Sequence, residues 1–121
     1  MIEEGRFDEA TELCETALVV ARELESRRFE AISLLTIGEH ALRKEDVSVA
    51  HPHLEEALEI FQQLGYHRAE GAALSALGQV EVLSGRSREA FEYFQKGERI
   101  LRKAGAKLEL AKLICHRGLL R

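Results

Sequence analysis

The stretch AALSALGQVEVLSGRSREAFEYFQKG, Ala72–Gly97, carries a glycine, Gly78, inside a segment whose other residues read as helix. A glycine in a helix interior is less favourable than alanine by about 1 kcal/mol, so a packing gain has to offset it. Gly38 stands 40 residues before Gly78, and Gly118 stands 40 after it. The same interval aligns Ala10 with Ala50 and Ala90, Cys14 with Leu54 and Phe94, Ala17 with Ala57 and Gly97, and Ala21 with Phe61 and Leu101. Ahead of the glycines, Leu34, Leu74 and Ile114 share a register, as do Ile37 and Leu77. A fixed period of this length marks an array of stacked repeats.

Within each unit the apolar residues advance by steps of three and four, as in Leu54, Ala57, Leu58, Phe61 and Leu64, so they share one helix face. A second apolar helix precedes each of these, as in Leu74, Leu77, Val80 and Leu83. Turns are signalled by LGYH at Leu64–His67, SGRS at Ser84–Ser87 and AGAK at Ala104–Lys107. The pattern predicts an all-α solenoid of antiparallel hairpins, with six helices near 7–24, 28–43, 51–64, 68–83, 87–104 and 107–120. One domain over 1–121 divides into a partial unit 1–27, two full units 28–67 and 68–107, and a partial unit 108–121. Gly38, Gly78 and Gly118, with Ala10, Ala50 and Ala90, are then packing positions where small residues let neighbouring backbones approach. Pro52 is tolerated in a first helical turn, so the third helix is expected to begin near His51, or to kink if it begins near Asp46.

Composition limits the function classes. The chain has 121 residues, of which 45% are hydrophobic and 31% charged, with one proline; this favours a helical domain with a real core over disorder. A net charge of -4, with basic and acidic residues interleaved, gives no footprint for nucleic acid or an anionic membrane. No apolar run reaches the length of a membrane span, and the opening MIEEGRFDEA is acidic and lacks an apolar signal core. A cytoplasmic location is the expectation. Cys14 and Cys115 lie far apart and form no metal or redox spacing, which reads as two reduced thiols without a shared role.

Three segments resemble the tetratricopeptide repeat: GRFDEATELCETAL (Gly5–Leu18), LEEALEIFQQLG (Leu54–Gly65), and the leucine-glycine pair followed by SGRSREAFEYF and Gly97. The usual repeat is about 34 residues; the longer spacing here is similar to the variety found in large bacterial regulatory proteins. There are departures: no tryptophan is present, Glu81 sits where the family often has an aromatic residue, and Arg117 replaces the apolar residue before Gly118.

The resemblance implies a concave surface lined by the first helix of each pair. The positions implied are Ile32, Leu35, Glu39 and Leu42, then Ala72, Ser75, Gln79 and Val82, then Lys112, Cys115 and Leu119. Family members that clamp a terminal carboxylate use lysine, arginine and asparagine there, a set that Leu35, Glu39, Ser75 and Gln79 do not supply. An apolar or amphipathic peptide, such as a helix laid in the groove, is the expected occupant; the rival is filling by other parts of a larger protein.

No metal site, cofactor or catalytic residue is indicated. His51 and His53 lack a third ligand and read as solvated residues at a helix start. His40 and His116 read as ordinary polar positions, and Cys115 and His116, adjacent in a helix, point about 100° apart and make no dyad. The acidic start, Glu3, Glu4, Asp8 and Glu9, suits a helix N-terminus. The sequence therefore reads as a non-catalytic protein-interaction scaffold, part of a larger regulatory protein. The alternatives are a ligand or peptide sensor coupled to an output domain and a self-assembly element. With its end helices unpaired, the chain is also expected to form a homodimer through one of them.

Overall fold

A computed structural model describes the backbone of residues 4–118 and the side chains of residues 9–118. Six helices follow one another: α1 Glu4–Glu23, α2 Arg27–Arg43, α3 Val47–Leu64, α4 His67–Leu83, α5 Ser87–Ala104 and α6 Lys107–Arg117. No strand occurs among the described residues. The even-numbered helices touch in succession and form one layer. Of the odd-numbered helices, α3 fits between α2 and α4, α5 fits between α4 and α6, and α1 packs on α2. This is the all-α hairpin solenoid that the 40-residue period predicts.

The turns give the array a finer rhythm. Residues Glu25, Glu45, Gly65, Gly85 and Gly105 all take a left-handed backbone conformation, with φ between 54° and 76°. At each, one N–H bonds the carbonyl three residues back and the next N–H bonds the carbonyl five back, as in Gly85 to Val82 (3.1 Å) and Arg86 to Glu81 (2.9 Å). This double bond pattern satisfies the carbonyls left open at a helix C-terminus and stops the helix there. A half-unit is thus 20 residues, one helix and its turn.

The crossings explain the interior glycines. A Cβ built on Gly78 would lie 2.5 Å from the Phe94 ring, and one on Gly38 would lie 2.6 Å from Leu54. The large residue occupies the space that the glycine leaves, and both Leu54 and Phe94 are fully buried. Burying such a side chain contributes roughly 1.5–3 kcal/mol, more than the helix propensity that glycine loses. Ala50 and Ala90 are also fully buried, and Ala10 is half-buried. Gly71 faces Leu101 and Gly97 faces Leu113 in the same manner. Gly118 differs from the expectation: it is exposed at the end of α6, and a Cβ there would meet carbonyls of its own helix rather than a partner side chain.

Two helices start three or more residues before the first sequence expectation. Helix α1 begins at Glu4. Helix α3 takes the earlier of its two expected starts, beside Asp46: it begins at Val47, because the Asp46 carboxylate accepts from the Val49 N–H (3.4 Å) and from the Ser48 hydroxyl (2.7 Å), capping the helix before the proline arrives. Pro52 therefore lies inside α3, in its second turn, and His51 and His53 are helix residues rather than residues at its start.

Candidate functional site

The layer of even-numbered helices carries a cavity of about 430 Å³. Helix α2 contributes Glu39, Leu42 and Arg43; α4 contributes Ala72, Ser75, Ala76 and Gln79; α6 contributes Glu109, Lys112 and His116. Small residues on α4 form the floor because that helix is wedged between neighbours on both sides, while longer side chains on α2 and α6 form the walls. A second cavity of about 610 Å³, more apolar at its base, is lined by Ile32, Phe61 and Tyr66 among others, and it shares Ala72 and Glu109 with the first. Together they make one trough across α2, α4 and α6.

The trough carries opposed charges with distinct environments. Burial pushes the Glu39 carboxyl above its usual range, and Arg43 and Lys112 pull it part of the way back. Burial lowers the His116 imidazole below its ordinary 6.5, and the nearby Lys112 lowers it further. The Gln79 amide nitrogen lies 3.1 Å from His116 Nδ1, and the Ser75 hydroxyl lies 3.4 Å from the same atom. An amide nitrogen donates, so Nδ1 accepts and the ring is neutral with its proton on Nε2. Arg68 and Glu109 pair at 3.6 Å at the border of the two cavities.

The expected groove residues separate into groups. Glu39, Leu42, Ala72, Ser75, Gln79 and Lys112 come together in the first cavity, and Ile32 lies in the second. Leu35 and Val82 are half-buried against the core instead, Leu35 between α2, α3 and α4 and Val82 against the α5–α6 cluster. Cys115 is exposed outside the cavity walls, and Leu119 lies outside the described residues. His116, read from sequence as an ordinary polar position, is a wall residue. Its signal was the period itself: Ala76 and His116 share one repeat position, four residues after Ala72 and Lys112 and so on the same helix face. Arg43 lies four residues after Glu39, and Glu109 lies three before Lys112, so both stay on the same helix face.

No group of three or more His, Cys, Asp or Glu side chains that could hold a metal ion occurs among the described residues. His51 pairs with Glu55 at 2.7 Å, and His53 Nδ1 contacts the Val49 carbonyl at 2.8 Å, so the two rings are engaged separately. No helix among the described residues is long and apolar enough to cross a membrane.

Repeat geometry and trough together point to a known family, and residues 2–63 and 29–103 match the tetratricopeptide repeat. The chain belongs to the tetratricopeptide repeat family. Over 111 residues, 92% of its length, it is 26% identical to the 43 kDa receptor-associated protein of the synapse of Tetronarce californica. It spans 27% of that protein's length. Two of the three departures from the repeat pattern, Glu81 and Arg117, have structural partners. Glu81, 3% exposed, is held by Arg86 through two contacts of 2.6 and 3.2 Å. Arg117 reaches Glu98 at 2.7 Å and ties α6 to α5.

Proposed function

We propose that this tetratricopeptide-repeat chain is a non-catalytic scaffold that takes an amphipathic segment of a partner protein into the trough across α2, α4 and α6. The observation that carries the reading is the convergence of six side chains from three successive helices on one cavity: Glu39, Leu42, Ala72, Ser75, Gln79 and Lys112. Leu42, Ala72 and Ala76 offer an apolar strip, while Glu39, Lys112 and the Gln79–His116 pair offer charge and hydrogen bonds along its edges. That combination suits a peptide with one apolar face. Membership of the repeat family and similarity to a receptor-associated protein support a role in holding another protein. The proposal extends to context: the chain serves as a binding segment of a longer cytoplasmic regulator, of the long-repeat variety found in bacteria.

The test is a selection of displayed random peptides on the immobilised protein, followed by calorimetric titration of those recovered. Ala72→Arg, which fills the shared floor of both cavities, is expected to weaken the selected peptides at least about tenfold, about 1.4 kcal/mol. Glu92→Ala, on the exposed face of α5, is expected to leave them unchanged. Peptides indifferent to Ala72→Arg would refute the trough as the binding site.

A further inference from the structure

We propose that the second cavity, near the starts of α2 and α4, selects a partner segment in which a large apolar side chain has an acidic residue about one helical turn away. This rests on the reading of the trough as a peptide site and names the chemistry of its occupant. The recess follows from the repeat. Ile32 on α2 and Ala72 on α4 hold one repeat position, 40 residues apart. The change from a large residue to a small one leaves room beside Ile32, and the cavity there measures about 610 Å³, within the range of roughly 300–1,000 Å³ usual for ligand pockets. Its base is apolar and fixed: Phe61 is 1% exposed, and its ring centroid lies 6.5 Å from that of Tyr66. Ile32 and Tyr66 keep 41% and 40% of their surface open, so an apolar side chain entering the recess removes their surface from water together with its own.

The charge at this recess is uneven. Arg28 and Arg68 also share a repeat position, four residues before Ile32 and Ala72, so each guanidinium is carried on the same helix face as the apolar residue one turn later. Among the described residues that line the cavity, the two arginines stand against one carboxylate, Glu109. The neighbouring Arg27 is committed to Glu30 at 3.0 Å and to Gln63 at 2.9 Å. Arg28 makes no ion pair among the described residues, and its guanidinium lies 5.8 Å from the centroid of the Phe29 ring. Arg68 reaches Glu109 at 3.6 Å with its side chain 68% exposed; exposed pairs of this kind contribute little, so Arg68 is available to an incoming carboxylate. His67 also lines the cavity and pairs with Glu70 at 3.5 Å. The first cavity opposes Arg43 and Lys112 with Glu39 and Glu109, which gives no preference of sign. An acidic residue is therefore favoured at the second cavity, and a lysine there meets like charges.

The peptides recovered by the display selection are the probe. Those weakened by Ala72→Arg are expected to share a large apolar residue with an Asp or Glu about three or four positions from it. In calorimetric titration, replacing that acid by its amide is expected to weaken binding about tenfold, and Arg28→Glu is expected to do the same. Ile32→Ala is expected to weaken it at least about threefold. A peptide with lysine in place of the acid is expected to regain affinity for Arg28→Glu, a rescue that a merely structural role for Arg28 does not give. Far-UV circular dichroism checks the fold, and Arg28→Gln replaces Arg28→Glu if that variant loses helicity. Peptides that respond to Ala72→Arg but lack the acid, or that bind the Arg28 variant as tightly as the wild type, overturn this proposal and leave the trough reading standing. Peptides indifferent to Ala72→Arg, or a selection that recovers none, overturn both.

Discussion

At Gly78 two effects compete, and their sizes decide the outcome. An added methyl gains about 1 kcal/mol of helix propensity, but its carbon would lie 2.5 Å from the Phe94 ring. That ring is fully buried and has nowhere to retreat without opening α5 from α4. Overpacking of a close-packed site costs about 1–3 kcal/mol. Gly78→Ala is therefore expected to lower stability by about 1–2 kcal/mol in urea denaturation, while Glu92→Ala, on the exposed side of α5, changes it by less than about 0.5 kcal/mol. Equal effects from the two would show that the crossing is not what selects glycine.

The helices end for a backbone reason, and it is here that the sequence was least explicit. Three of the five turns carry glycine at the left-handed position and were legible from it; Glu25 and Glu45 occupy the same conformation with side chains. A left-handed conformation costs a non-glycine residue roughly 1–2 kcal/mol, partly offset by the extra freedom glycine has when unfolded. Glu45→Gly is expected to raise stability by about 0.5–1 kcal/mol, read as a higher urea midpoint at unchanged slope. A loss of stability would mean that the Glu45 side chain contributes more than its backbone strain costs. The missing glycine is also why the start of α3 stayed open between His51 and Asp46: without a turn signal at 45, Pro52 became the nearest punctuation, although Asp46 caps the helix.

Across the whole molecule, stability couples to protonation through the even-numbered layer. Burial, aided by neighbouring cations, lowers both His40 and His116 below the ordinary 6.5. The unfolded chain therefore takes up protons first as pH falls through 6.5, and the folded state loses stability until its own lowered values are passed. Protonation of His116 also turns its Nδ1 from an acceptor into a donor, which ends its acceptance from the Gln79 amide nitrogen. Glu39 acts in the opposite sense: its raised value means that stability declines as pH climbs above the ordinary 4.5 of a glutamate. The melting temperature is expected to fall on acidification from pH 7 to pH 5, and His116→Asn is expected to flatten that fall. An identical slope in the variant would remove His116 from the account.

Periodicity alone determined the helix number, the hairpin order and the crossings at Gly38 and Gly78, because small residues at a fixed stride have one economical use: letting neighbouring helices approach. It also determined most of the trough, since residues on one face of α2, α4 and α6 stay on one face once the helices stack. What the tertiary structure decided was the direction of side chains near the edge of that face. Leu35 and Val82 turn toward the core, and His116 turns toward Gln79, because contact with a neighbouring helix selects between positions that a helical wheel places almost together. Burial belongs to neighbours in space, and the same residue in the same register is core beside a partner helix and surface without one.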